Sequence, residues 1–345
     1  CVDPPESDWL TQFKVNVHAL GAPALKLFYS PSLDLARWLI TNVQRFDIVI
    51  CHGIWQFHSV ATGIACKRAG VPYLVYSHGM LMRNSLLGNR VKLAKKALYW
   101  ALIERAVLNG ASSLLYTSES ERQWSNVKFF HTSCVATNIG NGIAGAPQFS
   151  SLIESSMLVK QSRPTLLALG RLHPVKGLDT LLNALALLGD AAPNVVIAGT
   201  GTRDYERYLR ELAESLGVSA CVQFVGEVAG EKKWHLLSTS WALVAPSLHE
   251  NFGLAIVEAL SIGTPAIVTK NVGIWREIDA SGAGIAYQGG AEELAQSIRS
   301  FFALPSSAHA HMGVRASECF ESNFSISVPT TRLITLIQRV IGEHK

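Results

Sequence analysis

Glu250 and Glu258 are two carboxylates separated by seven residues in the stretch "SLHENFGLAIVEAL". Paired carboxylates can act as a general acid and base, which requires that they come close together. Glu250 precedes an apolar run that predicts a helix, whereas Glu258 lies about one and a half turns inside it. The two are then about 10 Å apart along the helix axis, which is too far to share a proton. This spacing indicates two separate contacts that flank a ligand.

The backbone between these glutamates predicts an anion-binding helix N-terminus. Gly253 allows a ligand to approach the chain closely, and the amides of Phe252, Gly253 and Leu254 are donors at the head of the helix. The alternative is a structural role for both glutamates, in which Glu250 caps the helix and Glu258 is an ordinary helix residue. The residues alone leave both interpretations open.

Two cations are predicted to reach the same ligand. In "LALGRLHPVKGLDTLL", Arg171 directly follows a strand and Lys176 stands at the start of the next helix. A cation in the first turn of a helix opposes the macrodipole, whereas a bound anion is stabilised there. Lys176 is therefore better explained by a phosphate ligand, to which Arg171 can offer its planar guanidinium. Two solvated cations are the alternative.

Histidines end two predicted strands in the same way. The dipeptides His52-Gly53 and His78-Gly79 place two imidazoles at one rim of a sheet. Such a pair favours a site over two structural histidines, and His78 is the stronger candidate. Another strand end, "AGTGTRD", lacks the last glycine of a dinucleotide-binding fingerprint, so we predict a tight strand-to-helix turn there.

The elements that position these residues alternate between short apolar runs and longer helical stretches. "FDIVICHG", "VPYLVYSHG" and "RPTLLALG" are typical of buried strands, and "GLDTLLNALALLG" carries its leucines on one helical stripe. The pattern breaks into Gly, Asn, Pro and Ser at "ATNIGNGIAGAPQFSSLIE", which indicates a hinge. We predict an α/β protein with two doubly wound, Rossmann-like domains, 1–145 and 146–325, on either side of a cleft.

The composition excludes several classes of protein. The 345 residues are 48% hydrophobic and 16% charged, which is an ordinary globular composition. A net charge of +4 suits an anionic ligand or an acidic membrane surface but is too small to indicate nucleic acid binding. The six cysteines are scattered without metal-ligand spacing, and no apolar run reaches the roughly 18 residues of a membrane span. We expect a cytoplasmic protein with reduced thiols.

Taken together, the motifs resemble those of a known family. "GRLHPVKG" followed by "HENFGLAIVEAL" is similar to the family 4 retaining glycosyltransferases, whose hallmark is the E-x7-E motif. "HGIWQFH" and "YSHGML" resemble a bacterial polysaccharide-biosynthesis branch, and the resemblance covers nearly the whole chain. It implies the GT-B fold, in which two Rossmann-like domains face each other across a cleft. It also implies a final helix, here 326–345, that completes the first domain.

The resemblance implies a site for the diphosphate of a nucleotide sugar. Arg171 and Lys176 would hold the diphosphate, and the amides of Gly253 and Leu254 would contact its distal phosphate. The full set of implied donor contacts is Arg171, Lys176, Val228, Asn251, Phe252, Gly253, Leu254 and Glu258.

The same resemblance implies roles at the two ends of the donor. Glu258 would bind the ribose hydroxyls, and the backbone of the loop "GEV", which ends at Val228, would contact the base. Glu250 would bind the hydroxyls of the donor sugar, and His78 would reach that sugar near the reacting carbon. These two residues are the implied catalytic pair.

The implied reaction is hexosyl transfer with retention of configuration, without a metal or cofactor, and the sequence contains no DxD motif. UDP-glucose or a related UDP-hexose is the expected donor, with GDP-mannose next. A saccharide or lipid-linked saccharide is the expected acceptor, in exopolysaccharide or envelope polysaccharide biosynthesis. The alternatives are a non-catalytic nucleotide-sugar sensor, a sugar-nucleotide epimerase of related architecture, or a phosphorylase, although no lysine is singled out for pyridoxal.

The N-terminal stretch departs from the family pattern. The family usually opens with a strand and a Gly-rich loop, whereas the first plausible strand here is "FKVNVHALG". We expect about 20–30 residues, the length of one strand-loop-helix unit, to be absent from the sequence.

The stretch from Arg83 to Arg105 combines basic and apolar residues. This pattern predicts an amphipathic helix that binds an anionic membrane, at the inner face of the plasma membrane. A solvated helix face above a core stripe is the alternative.

Overall fold

The computed structural model describes residues 15–18, 20, 31–82, 90–125, 130–146 and 164–344, without the side chains of Arg90 and Lys92. The chain forms two compact units, one of Cys1–Ile139 with Thr331–Lys345 and one of Gly140–Thr330. The boundaries predicted from the sequence lie at 145/146 and 325/326. Four of the nine residues of the predicted strand "FKVNVHALG" lie outside the described residues, and the described 15–18 form no strand.

The first unit contains a parallel sheet with the strand order β1-β2-β3-β4. Its strands are β1 (Val49–His52), β2 (Tyr73–Tyr76), β3 (Ser113–Tyr116) and β4 (Ala136–Asn138). Its helices before the second unit are α1 (Leu33–Asn42), α2 (Phe57–Ala69), α3 (Arg90–Tyr99), α4 (Arg105–Gly110) and α5 (Glu119–Trp124). Both β2 and β3 are buried along their whole length, as expected of apolar strands with helices on the two faces of a sheet.

Two features of this unit differ from the prediction. The hinge predicted from Ala136 onward begins with β4, which is three residues long and, among the described strands, pairs only with β3. A short edge strand needs few apolar residues, so the Gly- and Asn-rich sequence around β4 does not predict a strand there. The basic stretch predicted as one helix is divided by a π-helical turn, Trp100–Glu104, that separates α3 from α4. Arg83 of that stretch lies outside the described residues.

The second unit contains a six-stranded parallel sheet with the order β10-β9-β8-β5-β6-β7. Its strands are β5 (Thr165–Leu169), β6 (Asn194–Ala198), β7 (Val222–Gly226), β8 (Ala242–Ala245), β9 (Ala266–Thr269) and β10 (Gly284–Tyr287). The order reverses between β5 and β8, which is the topological switch point where doubly wound sheets bind ligands. The loops that follow these two strands are therefore the ones that build a site.

Helices cover this sheet and bury the predicted leucine stripe. They are α6 (Leu178–Leu188), α7 (Arg203–Ser215), α8 (Gly230–Thr239), α9 (Leu254–Ser261), α10 (Trp275–Ser281), α11 (Ala291–Phe302) and α12 (Ser306–Asn323). The five leucines predicted to share one face of α6 are all buried: Leu178, Leu181, Leu182, Leu185 and Leu188. Each such side chain contributes about 1.5–3 kcal/mol on burial, so the stripe fixes α6 and the loop before it.

The last helix, α13 (Ser327–His344), begins in the second unit and ends in the first. Its residues Leu336 and Val340 are buried against Leu74, Tyr76 and Leu115 of the first sheet. His344 Nε2 lies 2.9 Å from the carbonyl oxygen of Gly70.

Candidate functional site

A cavity of about 520 Å³ opens at the switch point of the second sheet. It is lined by the loop after β5, the loop after β8 and the first turns of α9. The residues of the predicted site that line it are Arg171, Lys176, Glu250, Asn251, Phe252, Gly253, Leu254 and Glu258.

Gly177 explains how the two loops come so close together. Its backbone is left-handed, with φ of +64°, and a Cβ there would lie 2.1 Å from the carbonyl oxygen of Pro246. The amide of Leu248 also donates to the carbonyl of Val175 at 2.9 Å. Only glycine permits this approach without strain, and the approach brings Lys176 beside the loop after β8.

Lys176 and Glu250 form an ion pair across the cavity wall, with 29% and 19% of their side chains exposed. The sequence placed Lys176 at the start of a helix, which is wrong by two residues. Lys176 ends a 3₁₀ turn, Pro174–Lys176, and the left-handed Gly177 separates it from α6. Its ammonium has two further N–H donors besides the one that meets Glu250.

The head of α9 has the geometry of an anion site. Gly253 is its N-cap, with φ of +82°, and no side chain caps the helix. Glu250 therefore does not serve as the capping carboxylate of the alternative interpretation; its amide donates to the carbonyl of Asn271 at 3.1 Å. The first amides of a helix have no acceptor inside the helix, so those at Gly253 and Leu254 suit an anionic group. Phe252 is buried against Phe324 and anchors the turn.

Glu258 lies in α9 and forms an ion pair that the sequence reasoning missed. Lys233 Nζ donates to Glu258 Oε1 at 2.8 Å, and the two side chains are 23% and 20% exposed. Lys233 lies in the first turns of α8, where a cation opposes the helix dipole. The argument applied to Lys176 could have identified it. The pair also joins α8 to α9, so the ion pair fits both the ligand contact and the structural role that the residues left open for Glu258.

Two other residues of the predicted site, Arg171 and Val228, lie at the rim of the cavity and outside its lining, respectively. Arg171 is exposed at the rim of the cavity, directly after β5. Val228 is not among the residues that line the cavity; it lies in the turn between β7 and α8, partly buried against the apolar core. The turn after β6 is short, as predicted, because α7 begins at Arg203, five residues after the strand ends at Ala198. A Cβ at Gly199 would lie 1.9 Å from the carbonyl oxygen of Gly170, so this turn also packs closely against the end of β5.

The two histidines predicted at strand ends, His52 and His78, lie together in the first unit. His52 Nδ1 is 2.9 Å from His78 Nε2, and both rings stack with Tyr76. Desolvation lowers the pKa of each imidazole below 6.5, and the neighbouring His78 and His58 lower the pKa of His52 further. One nitrogen of the close pair must accept a hydrogen bond, so at most one of these rings is cationic while the contact holds.

A buried carboxylate, Glu121, holds the turn that carries His78. It accepts the amide of Gly79 at 2.6 Å, the hydroxyl of Ser77 and the amide of Thr117 at 2.8 Å. His78 itself has φ of +46°, a left-handed conformation that costs a non-glycine residue about 1 kcal/mol or more. Residue spacing does not predict these contacts of Glu121, because they come from two different strand ends.

Comparison with known proteins gives matches along most of the chain. Residues 152–318 match the family model described as glycosyl transferases group 1, and residues 1–130 match that of the glycosyl transferase 4-like domain.

Individual relatives give a consistent picture. An uncharacterised glycosyltransferase of Methanocaldococcus jannaschii is 34% identical over 71% of this chain and 63% of its own length. A D-inositol 3-phosphate glycosyltransferase of Corynebacterium jeikeium is 34% identical over 35% of this chain and 30% of its own length. The chain thus spans less than two thirds of these relatives. The crystal structure of Anabaena HepE with UDP and glucose superposes with a TM-score of 0.72 at 19% identity, covering 96% of this chain and 88% of that one.

Proposed function

The chain belongs to the group 1, family 4-like glycosyl transferases of GT-B fold, and we propose that it transfers a hexose from a nucleotide sugar to a saccharide or lipid-linked saccharide. The fold and the family expected from the motifs are thereby confirmed. We propose the donor, the acceptor and the course of the reaction below.

One observation carries the proposal: cations, helix amides and carboxylates converge on the cavity of the second unit. Arg171, Lys176 and the amides at Gly253 and Leu254 suit a diphosphate, because charge-assisted donors bind phosphate oxygens strongly. Glu250 and Glu258 suit the hydroxyls on either side of it, since a carboxylate is only an acceptor. A nucleotide sugar offers these groups in this order.

The same groups account for the chemistry. When the sugar departs, negative charge develops on the diphosphate, and preorganised cations and amides stabilise that charge without reorganisation. Glu250 orients the transferred sugar, and the leaving phosphate accepts the acceptor proton in a front-face attack that retains configuration. We assign His78 the contact to the sugar near its reacting carbon. We propose a reaction that needs no metal, in which Arg171, Lys176 and the amides at the head of α9 together stabilise the departing diphosphate.

UDP-glucose is the proposed donor. Support comes from the fold neighbour HepE, whose structure holds UDP and glucose. GDP-mannose is the second choice, and the base contact remains assigned to the backbone near Val228. We propose a pathway that builds a bacterial polysaccharide.

A measurement of turnover tests the proposal. The protein is incubated with UDP-glucose or GDP-mannose, and release of the nucleoside diphosphate is followed with and without EDTA. We expect slow donor hydrolysis that EDTA leaves unchanged and that saccharide acceptors accelerate, with an α-linked product by NMR. Tight binding of both donors without any turnover would favour the nucleotide-sugar sensor instead.

We also propose that α3 and α4 bind an anionic membrane. This stretch carries exposed residues at alternating spacings of four and three, which is the spacing of one helix face. They are Val91, Lys95, Leu98, Leu102 and Arg105. Such a face can lie on acidic lipid, each cation adding about 1 kcal/mol near the surface. Within the described residues, no helix is both long and apolar enough to span a bilayer.

Vesicle flotation tests this surface. The protein should float with phosphatidylglycerol vesicles at low salt, and a Leu98→Ser/Leu102→Ser double variant should not. Leu187→Ser, which alters an equally exposed leucine of α6, is the matched control and should float. Equal flotation of all three proteins, or of none, would refute membrane binding by this face.

A further inference from the structure

We propose that Lys233 determines recognition of the nucleoside, by fixing the Glu258 carboxylate so that one of its oxygens meets a ribose hydroxyl. The inference rests on the proposed function, because it takes the nucleotide of the donor to lie along α9. It adds a residue of α8 to a site built from the loops after β5 and β8.

The position of Lys233 is the first observation. Its Nζ lies 2.8 Å from Glu258 Oε1, although the residues belong to different helices and are 25 positions apart. Both side chains line the cavity, and about a fifth of each is exposed. The pair is therefore part of the cavity wall and is open to a ligand.

The local structure holds Lys233 on this side of α8. Trp234, the next residue, is 8% exposed and packs in the apolar core with Leu237, which fixes the rotation of the helix. Lys233 Nζ lies 4.8 Å from the centre of the Trp234 ring. A cation this near the N-terminus of α8 is destabilised by the helix dipole, so the helix itself does not account for it. The contact with Glu258 does.

The hydrogen-bond pattern gives the pair its selectivity. A carboxylate with two free oxygens can accept both hydroxyls of a ribose. Here the ammonium takes one acceptor position of Oε1 and fixes the plane of the carboxylate, with Oε2 turned to accept a ribose hydroxyl, while Lys233 keeps two N–H donors for an acceptor atom beside it. The pair thus presents an acceptor and a donor side by side, and a ribose hydroxyl can satisfy both at once.

The turn that leads into α8 strengthens the assignment. The backbone near Val228, to which the base contact is assigned, immediately precedes this helix, which begins at Gly230. Lys233 therefore follows the proposed base contact closely in the chain and donates to the carboxylate assigned to the ribose. A ligand that reaches both of these contacts would have its ribose near the ammonium.

Calorimetry with nucleotide analogues tests the proposal. UDP and GDP are titrated into the wild-type protein, and the tighter of the two is then compared with its 2′-deoxy and 3′-deoxy forms. We expect the wild type to bind at least one deoxy form about 10-fold more weakly, the effect of losing one hydrogen bond to a charged group. Lys233→Met should bind the parent nucleotide about 10-fold more weakly and no longer discriminate against that deoxy form.

Two variants control for a merely structural role. Lys233→Arg keeps the donor and should retain the discrimination, and Lys232→Met, which alters the exposed neighbouring lysine, should match the wild type. The proposal is overturned if the wild type binds the parent nucleotide and both deoxy forms equally well. It is also overturned if Lys233→Met lowers the affinity for the parent and the deoxy form by the same factor, or lowers neither affinity. A wild type that binds neither UDP nor GDP refutes the proposed function itself, before any variant is measured.

Discussion

The side chains of Lys176 and Glu250 form an ion pair that joins two loops 74 residues apart in the sequence. Lys176 comes from the turn after β5, and Glu250 comes from the loop after β8. The cation assigned to the diphosphate and the carboxylate assigned to the sugar therefore hold each other in place. Because neither side chain is fully exposed, removing one leaves the other partly buried without its partner.

Kinetics of three variants should separate the roles of these residues. Lys176→Ala and Glu258→Ala should weaken donor binding about 10- to 100-fold, since each loses charge-assisted hydrogen bonds to the nucleotide. Glu250→Ala should lower kcat more than it raises KM, because its contact is assigned to the transferred sugar.

The measurement is a full kinetic analysis of donor hydrolysis, with calorimetry for affinity. Lys67→Ala, which removes an exposed lysine of α2, is the control and should behave as the wild type. Unchanged kinetic constants in all three site variants would mean that the cavity is not the donor site.

Gly177 should tolerate alanine far less than another glycine of the same backbone conformation. Gly177→Ala meets both the left-handed strain of about 1–2 kcal/mol and a clash with the Pro246 carbonyl, which adds about 1–3 kcal/mol. Gly217 has φ of +70° with nothing within 4 Å of an added Cβ, so Gly217→Ala should lower the free energy of unfolding only by the backbone strain.

Urea denaturation of the two alanine variants measures the difference. We expect Gly177→Ala to lower the free energy of unfolding at least about 1 kcal/mol more than Gly217→Ala. If both variants lost the same free energy of unfolding, the Pro246 carbonyl would not lie 2.1 Å from the position of a Cβ at residue 177, and the two loops would be packed less closely.

The histidine pair should titrate below pH 6.5. Desolvation lowers the pKa of both His52 and His78, so both imidazoles are neutral at pH 7. Their contribution to stability is then complete above pH 6.5 and is lost as the pH falls through the pKa of the folded state. In His78→Asn, the pKa of His52 should rise toward 6.5, because a neighbouring like charge and part of the burial are removed.

Histidine NMR titrations, assigned with single variants, provide the values. A pKa of 6.5 or higher for both His52 and His78 in the wild type would contradict the stacked, desolvated arrangement.

Glu104 should make stability depend on pH. The carboxyl is fully buried in the π-helical turn, and burial raises its pKa to about 7, although the Ser59 hydroxyl donates to it. The folded state therefore holds a proton that the unfolded chain releases near pH 4.5, so this contribution is complete below pH 4.5 and is lost as the pH rises to 7. The loss amounts to about 3 kcal/mol at most.

Glu104→Gln removes this titration. Between pH 4.5 and 7 the free energy of unfolding of the variant should fall less than that of the wild type, as measured by urea denaturation at several pH values. Glu214→Gln, at an exposed position of α7, should keep the wild-type slope. Parallel curves for the wild type and Glu104→Gln would show that Glu104 does not titrate in this range.

Local patterns predicted much of the fold and most of the cavity. The leucine stripe of α6, the apolar strands and the positions of Glu250 and Glu258 around the head of α9 all follow from residue spacing. The two lysine–glutamate pairs do not, because each joins residues from separate elements. The roles of the buried Glu121 and Glu104 were missed for the same reason, since the serine that donates to each lies 44 or 45 positions away in the chain.

The position of a bound donor tests the central claim most directly. Crystals soaked with UDP-glucose should show the diphosphate within hydrogen-bond distance of Lys176 and the amides at the head of α9, with the ribose at Glu258. Arg171 should lie beside the same phosphates. A nucleotide bound anywhere else on the protein, with this cavity unoccupied by it, would contradict the account.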